Sequence, residues 1–520
     1  MDYNNNIKFK SIQLFIAISV AILTTGFLRL QIFAGLPETD GGIYTFLNQY
    51  IYFTLEDGGN LKDTTFLLYQ FMTAWVYGLE VNQFILLRLI DGLVAIVASI
   101  ILFKVILKES GSTLFTVILV TTLLISMNNF EVVLYGYRNS IWAAYLPLFT
   151  ALLVWQNANK QDKYSFYSIG GLVALGVLLR EAFLPFFLLA GISILIAYGW
   201  RVLIKYLIGS AVVGFTLLGV TLMFRGWDLV NLLNSYFSVF GTYIFFKNSF
   251  LLSFLATIKK NWFIYTAGAM SVIYLIKLYS TNKKLVSINR VYIWLAIFLL
   301  PMIEPIMKIG FEYHFANCLV GFAGLSAMTW KHVMAQESKK VMTSSIIIIG
   351  LMSLLVILPT INRTIIKSNY IFSPYDAIKW VKATDWFRGE QMIESSQYLK
   401  VAAKLYGLSR EDSTLVVSGI MQVLYPLTEL LPPAYKLHDL GQLFIKLNYD
   451  DEELIKIIQK YRPTLIMTSG LSYGAEKNLP GIIENTNLYE QVDTVKGNLK
   501  IQYGWKFKSA GIIYRLKDFK

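Results

Sequence analysis

The chain has 520 residues, of which 55% are hydrophobic and 15% aromatic, and its mean hydropathy is +0.53. These values exclude an ordinary water-soluble enzyme, because apolar runs long enough to cross a bilayer recur from Ile12 to Thr360. The formal net charge of +13 does not require a nucleic-acid partner, since much of the lysine and arginine lies in short loops between apolar segments. The single cysteine, Cys318, excludes an intrachain disulfide and a cysteine-built metal site.

The apolar runs predict a polytopic α-helical membrane protein with about 11 transmembrane helices. We place them at Ile12–Phe33, Asn82–Leu107, Ser112–Ser126, Ile141–Gln156, Phe166–Leu179, Phe183–Tyr198, Tyr206–Phe224, Trp262–Leu278, Val291–Ile306, Phe315–Trp330 and Val341–Pro359. Lys8 and Lys10 precede the first span, and basic short loops alternate after it, which predicts a cytoplasmic amino terminus. An odd number of spans then leaves the chain after Thr360 outside the cytoplasm. The aromatic run Trp227–Phe246 is predicted to be re-entrant or interfacial.

The loop after the first span, residues 34–80, is long and acidic. It carries Glu38 and Asp40 just beyond the membrane, followed by Gly41-Gly42 and a tyrosine-rich run. Two stretches of this loop, Gly42–Leu55 and Thr64–Tyr77, show helical spacing and few charges. We expect them to be helices lying in the membrane interface.

Asp40 is the candidate general base of a glycosyl transfer. Transfer of a sugar from a lipid phosphate needs a group that removes the proton of the acceptor hydroxyl. A carboxylate in a partly enclosed site can do this, because burial raises its pKa, and Gly41-Gly42 would let the backbone approach a bulky substrate. The structural alternative is that Asp40 only caps a helix beginning at Ile43. Glu38 is the second candidate acid.

Basic residues at the outer ends of spans are candidates for binding the phosphate of a lipid carrier. Arg138 and Arg180 occupy such positions, and a guanidinium group binds phosphate through a bidentate fork. The alternative is that both only reach lipid head groups of no particular function. Within the second span, Arg88 and Asp91 are three residues apart and are predicted to form a structural salt bridge.

A third polar cluster, Glu304–His314, is predicted on the outer side. Lys308 is its candidate phosphate ligand, and Glu312 or His314 its candidate for the acceptor hydroxyl. Tyr44 and Tyr137 are the remaining substrate-binding candidates, because outer tyrosines can stack on sugars or acceptors. No histidine cluster has metal-ligand spacing, so we assign no metal ligands and leave the use of a divalent metal open.

The composition becomes mixed and polar from Ile361 onward. Alternating strand and helix patterns predict a small α/β domain outside the cytoplasm. The predicted strands are Ser413–Ser418, Thr464–Thr468, Gln491–Val495, Lys500–Tyr503 and Gly511–Arg515, and the predicted helices are Ile420–Leu430 and Asp451–Tyr461. We therefore divide the chain into a membrane domain, residues 1–360, and an extracytoplasmic domain, residues 361–520.

These features together resemble the GT-C superfamily of membrane glycosyltransferases, which includes protein O-mannosyltransferases and the lipid A aminoarabinose transferase. The resemblance rests on the acidic first outer loop (Glu38-Thr39-Asp40), the basic step in a tight hairpin (LLREAFLPFF, 178–187) and the aromatic-basic stretch FEYHFANCLVGFAGL, 311–325. It implies a polyprenyl-phosphate sugar donor, an inverting transfer outside the cytoplasm and an acidic base in the first loop, where Asp40 is the matching position. The composition is typical of bacteria, so undecaprenyl phosphate is the expected carrier.

The sequence thus predicts a glycosyltransferase of the bacterial inner (plasma) membrane. Its acceptor is expected to be a surface glycan or a glycolipid, with a protein hydroxyl less favoured. No organic cofactor and no nucleic-acid partner are predicted. Two alternatives stay open: a lipid-linked glycan flippase or polymerase, and a non-catalytic membrane scaffold whose outer domain recruits partners.

Overall fold

The computed structural model describes residues 2–30, 39–59, 61, 68–133, 139–158, 164–180, 183–234, 250–281, 288–299, 315, 318–336, 339–368, 395–418, 421–440, 443, 450–468, 479–495 and 511–519. Helices dominate the chain up to Ser368. They are α1 (Asp2–Ala21), continued by a π-helical turn (Ile22–Gly26) and α2 (Phe27–Arg29), then α3 (Thr39–Glu56), α4 (Leu68–Thr73) with a 3-10 turn (Ala74–Gly78), α5 (Gln83–Ser110), α6 (Thr113–Val133), α7 (Asn139–Asn157), α8 (Ser165–Leu179), α9 (Leu184–Tyr198), α10 (Trp200–Phe224), α11 (Phe250–Lys260), α12 (Trp262–Thr281), α13 (Ile288–Leu299), α14 (Cys318–Gln336) and α15 (Lys339–Ser368).

Several of these helices can cross a bilayer. Within the described ranges, five are both long and apolar enough: Ser11–Arg29, Gln83–Ser110, Trp200–Phe224, Trp262–Thr281 and Val341–Asn362. Four shorter apolar helices accompany them: Thr113–Asn128, Ser165–Leu179, Phe186–Tyr198 and Arg290–Leu299. Nine of the eleven predicted spans coincide with one of these helices, and the other two, Ile141–Gln156 and Phe315–Trp330, coincide with α7 and α14. The number of helices that cross the membrane stays a prediction. The run predicted to be re-entrant falls largely on residues 235–249, which lie outside the described residues.

Local signals set the helix ends. Helix α5 begins after Asn82, whose side chain accepts a hydrogen bond from the Ile85 amide (3.1 Å) and so satisfies one of the open donors of the first turn. It ends at Gly111, which adopts a left-handed conformation (φ 68°) and returns its N–H to the Leu107 carbonyl. The cap and the glycine therefore define the second predicted span to within a few residues.

The bundle is tightly packed where glycines face carbonyl groups. A methyl group on Gly170 would overlap the carbonyl oxygen of Tyr206, and one on Gly209 would overlap that of Tyr167. Only glycine allows α8 and α10 to cross this closely, as is common where membrane helices pack. The core of the bundle is filled by fully buried large side chains, among them Phe103, Trp142 and Trp294.

Residues 395–519 contain an α/β unit, which we call the C-terminal unit. Its elements are α16 (Ser395–Leu408), β1 (Leu415–Val417), α17 (Leu424–Thr428), α18 (Asp451–Tyr461), β2 (Leu465–Thr468), α19 (Leu479–Asn485), β3 (Tyr489–Val495) and β4 (Gly511–Leu516). The strands form one sheet in the order β1-β2-β4-β3; β1 and β2 are parallel, and the other pairs are antiparallel. Helix α18 begins with a complete capping box between Asp450 and Glu453. The strand predicted at 500–503 lies outside the described residues.

Candidate functional site

Helix α3 carries the backbone of the candidate base. It begins at Thr39, so Asp40 lies in its first turn, and the helix does not start at Ile43 with Asp40 as its cap. Gly41 and Gly42 are helical and buried. The described part of the chain includes the backbone of Asp40, without its side chain.

One side of α3 is held by the rest of the first loop. Asn48 is fully buried, and its side-chain amide donates to the Gln70 carbonyl (2.9 Å) and to the Thr73 hydroxyl (2.7 Å) of α4. The hydroxyl of Tyr77 donates to the Thr45 carbonyl (3.0 Å). These bonds satisfy buried polar groups, which would otherwise be costly, and so fix the register of α3 against α4.

The C-terminal unit covers another side of α3. Phe46 is 0% exposed, and its ring lies 4.5 Å from that of Tyr425, 5.3 Å from that of His438 and 6.4 Å from that of Tyr435. The Gln49 side chain donates to the Tyr425 carbonyl (3.3 Å). We call Phe46 with these three rings the aromatic clasp. It joins the first loop to the C-terminal unit.

Hydrogen bonds hold Tyr425 in place within this aromatic clasp. Its hydroxyl accepts from the Val417 amide of β1 (3.2 Å) and donates to the His438 carbonyl (3.0 Å). Burial raises the pKa of Tyr425 well above its ordinary value, the Val417 hydrogen bond partly opposes this shift, and the Asp439 carboxylate adds to it. The phenol therefore stays neutral and serves as a structural anchor. Tyr44, predicted to contact substrate, is half-buried against the same cluster of side chains.

The first loop also contacts the end of a membrane helix. The Leu61 amide donates to the Phe224 carbonyl at the end of α10 (2.9 Å), and the rings of Phe71 and Phe224 lie 4.7 Å apart. Helix α4 also packs beside α7 and α8. The first loop thus packs against the helix ends that are predicted to face outward.

Four arginines are buried at this end of the bundle. Their side chains are 2–7% exposed, and they are the only buried lysines or arginines within the described residues: Arg29, Arg88, Arg180 and Arg225. Arg29 ends α2, Arg180 follows α8 and Arg225 follows α10, while Arg88 lies in the second turn of α5. Because the helices alternate in direction, all four lie at helix ends that are predicted to face outward.

A buried polar network links the first three helices of the bundle. Arg29 forms an ion pair with Asp91 of α5, and its guanidinium group also donates to Asn128 of α6 (3.4 Å). The Asn128 amide donates to Thr25 (3.3 Å), whose hydroxyl lies 2.8 Å from that of Ser99. Asp91 therefore pairs with a neighbouring helix, which corrects the prediction of a pair with Arg88 within α5. An ionised side chain inside a membrane normally pairs in this way.

The structure describes Arg180 and Tyr44 among the predicted site residues, together with the backbone of Asp40. The others lie outside the described residues: Glu38, Tyr137, Arg138, Lys308, Glu312 and His314. Sequence reasoning missed Arg29 and Arg225, although the rule that selected Arg180, an arginine at the outer end of a span, applies to both. Over the described ranges, no three histidine, cysteine, aspartate or glutamate side chains are grouped as metal ligands.

The apolar helices, the helical first loop and the C-terminal unit together form a fold that is also found in a solved structure. The chain is similar to the crystal structure of ArnT from Cupriavidus metallidurans bound to undecaprenyl phosphate, with a TM-score of 0.54 and 10% sequence identity. The match covers 100% of this chain and 99% of that one. No protein-family model matches the chain, and no curated protein matches its sequence. The five long apolar helices of the described residues, together with this fold, support a multi-pass membrane protein.

The aromatic clasp can be tested by truncating its centre. We expect Phe46→Ala to lower the free energy of unfolding by about 3–5 kcal/mol, because it removes a fully buried ring and leaves a cavity in its place. Phe53→Ala, on the half-buried part of the same helix, should cost clearly less. Denaturant unfolding of the purified protein in detergent measures both. Equal losses in the two variants would contradict a special role for Phe46.

The Arg29–Asp91 pair gives a second prediction. Removing one partner leaves an uncompensated buried charge, so Arg29→Ala and Asp91→Ala should each destabilise the protein by about 3–5 kcal/mol. The double variant Arg29→Met with Asp91→Leu should recover much of that loss, since no charge is left buried. Thermal unfolding in detergent compares the three proteins. If the double variant is no more stable than either single variant, the pair is not a coupled unit.

Proposed function

We propose that the protein is an inverting glycosyltransferase that moves a sugar from a polyprenyl-phosphate donor to an acceptor at the outer face of the membrane. The lipid carrier in this proposal is undecaprenyl phosphate. The acceptor class we favour is a surface glycan or glycolipid, ahead of a protein hydroxyl. Residues 1–360 form the membrane domain and residues 361–520 the extracytoplasmic domain in this proposal. Asp40 is the general base, with Glu38 as the second acid.

The observation that carries this proposal is the group of four buried arginines at the helix ends where the first loop is seated. Four buried guanidinium groups concentrate positive charge at these helix ends, and one of them, Arg29, pairs with Asp91. A lipid phosphate carries negative charge, and guanidinium groups bind it with several N–H donors. The ArnT crystal structure that shares the fold is bound to undecaprenyl phosphate, which supports the same class of donor here.

In this mechanism the donor phosphate lies among the basic residues at the outer helix ends, with Arg180, Arg138 and Lys308 as its ligands. The acceptor hydroxyl approaches the sugar on the side opposite the phosphate. Asp40 takes the hydroxyl proton as the new glycosidic bond forms and the bond to the phosphate breaks. The lipid phosphate leaves with the electron pair of that bond. A position in the first turn of α3 favours an ionised carboxylate, because the helix N-terminus carries positive potential.

Asp40→Asn tests the general base. The variant should lower the rate of transfer by about 100- to 10,000-fold, the usual contribution of a general base, while the protein still inserts in the membrane. The measurement is mass analysis of surface glycans in cells carrying the wild type, the variant or a deletion, followed by kinetics on purified protein. Asp57→Asn is the matched control, because Asp57 also precedes two glycines but is exposed at the other end of α3. Loss of transfer in the deletion but not in Asp40→Asn would move the base to Glu38 or Glu312.

Arg180→Gln tests the phosphate ligands. Loss of one charge-assisted hydrogen bond, about 1.5–3 kcal/mol, should raise KM for the lipid-linked donor by about 10- to 100-fold. Arg201→Gln changes an exposed arginine near the start of α10 and is the control. Steady-state kinetics with varied donor measures the effect. A change in KM for the acceptor alone would contradict the assignment, and so would equal effects of both variants.

A further inference from the structure

A second basic site lies on the C-terminal unit, apart from the membrane helices. A surface recess of about 380 Å³ opens beside β4, where its lining includes Ser409, Arg410, Glu490, Arg515, Lys517 and Phe519. Arg515 is the register partner of Leu465, the first residue of β2. The recess therefore lies at the end of the sheet where strand β2 begins. Its volume falls within the range of small-ligand sites, about 300–1,000 Å³.

The described lining of the recess has an excess of positive charge. Among these residues, three cationic side chains, Arg410, Arg515 and Lys517, face one carboxylate, that of Glu490. The nearby Asp518 carboxylate is engaged by Arg462 (3.0 Å), which lies outside the lining. The recess therefore has a positive formal charge that is about equal in size to the double negative charge of a phosphate monoester.

Fixed neighbours orient the three cations. Both Nε and Nη2 of Arg515 donate to one oxygen of Glu490 (3.0 and 2.6 Å). The Arg410 guanidinium lies over the Phe519 ring, 5.5 Å from its centroid, and Lys517 Nζ donates to the Asn487 carbonyl (3.1 Å). A guanidinium has five N–H donors and an ammonium three, so the contacts of Arg515 and Lys517 orient these two groups and leave them further donor capacity. Pre-oriented donors bind an anion at a lower entropic cost.

We propose that this recess binds the phosphate group of a second ligand, other than the sugar donor proposed for the membrane domain. A phosphate offers three oxygens to two forked guanidinium groups and one ammonium, whereas a carboxylate offers two. The phosphate can come from a soluble phosphate ester or from the head group of an anionic phospholipid. Either source gives the C-terminal unit a ligand of its own, distinct from the carrier phosphate proposed at the helix ends.

The test uses the full chain in an uncharged detergent. Isothermal titration with inorganic pyrophosphate reports a soluble phosphate, and native mass spectrometry with phosphatidylglycerol against phosphatidylcholine reports a head group. The test variant is Arg410→Gln with Lys517→Gln. The control, Lys456→Gln with Lys460→Gln on α18, removes the same charge from exposed positions outside the recess. Thermal unfolding checks that both variants fold.

We expect the wild type and the control to bind at least one probe, and the test variant to bind it at least tenfold more weakly. Pyrophosphate binding alone identifies a soluble phosphate, and selective retention of phosphatidylglycerol alone identifies a head group. Equal weakening in the test variant and the control overturns the site, since it then reflects net charge only. Absence of binding to both probes overturns it as well. Neither result depends on Asp40 or on the sugar donor.

Discussion

The packing of Phe46 into the rings of Tyr425, Tyr435 and His438 is the interaction on which the candidate site depends. An α-helix rises 1.5 Å per residue, so Asp40 lies only about 9 Å along α3 from this contact. Asn48 fixes another side of the same helix to α4. The candidate base therefore belongs to a helix that is held by both the first loop and the C-terminal unit. Catalytic groups are usually kept in position by such rigid elements. The C-terminal unit contributes to the site through packing.

The second constraint is charge inside an apolar bundle. Arg29, Arg88, Arg180 and Arg225 are buried at or near the ends of apolar helices. Arginine suits this role better than lysine, because its charge is delocalised, less strongly hydrated and never lost by deprotonation. The Arg29–Asp91 pair also links α2 to α5, and the first loop begins just after Arg29. The same group of residues can thus stabilise the bundle and attract an anion.

Much of the fold was predictable because its signals are local. The apolar runs gave the membrane helices, Asn82 and Gly111 marked the ends of α5, and the capping box at Asp450 and Glu453 marks α18. The candidate site was less predictable, because its contacts are distant in sequence: Gln49 and Tyr425 are 376 residues apart. Asp91 shows the same limit, since helix spacing offered Arg88 as its partner and only the fold brings Arg29 to it.

The π-helical turn at Ile22–Gly26 has a consequence for how this chain can change by insertion and deletion. A π turn contains one residue more than an α-helical turn of the same kind, and such turns are often found at functional positions. Because the extra residue is held as a bulge, loss of a single residue from this turn would restore α-helical geometry and leave Arg29 on the side that faces Asp91. Loss of a residue from the α-helical turns before or after it would instead rotate everything beyond by about 100° and turn Arg29 away from Asp91. We therefore expect natural variation in the length of this helix before Arg29 to fall within Ile22–Gly26.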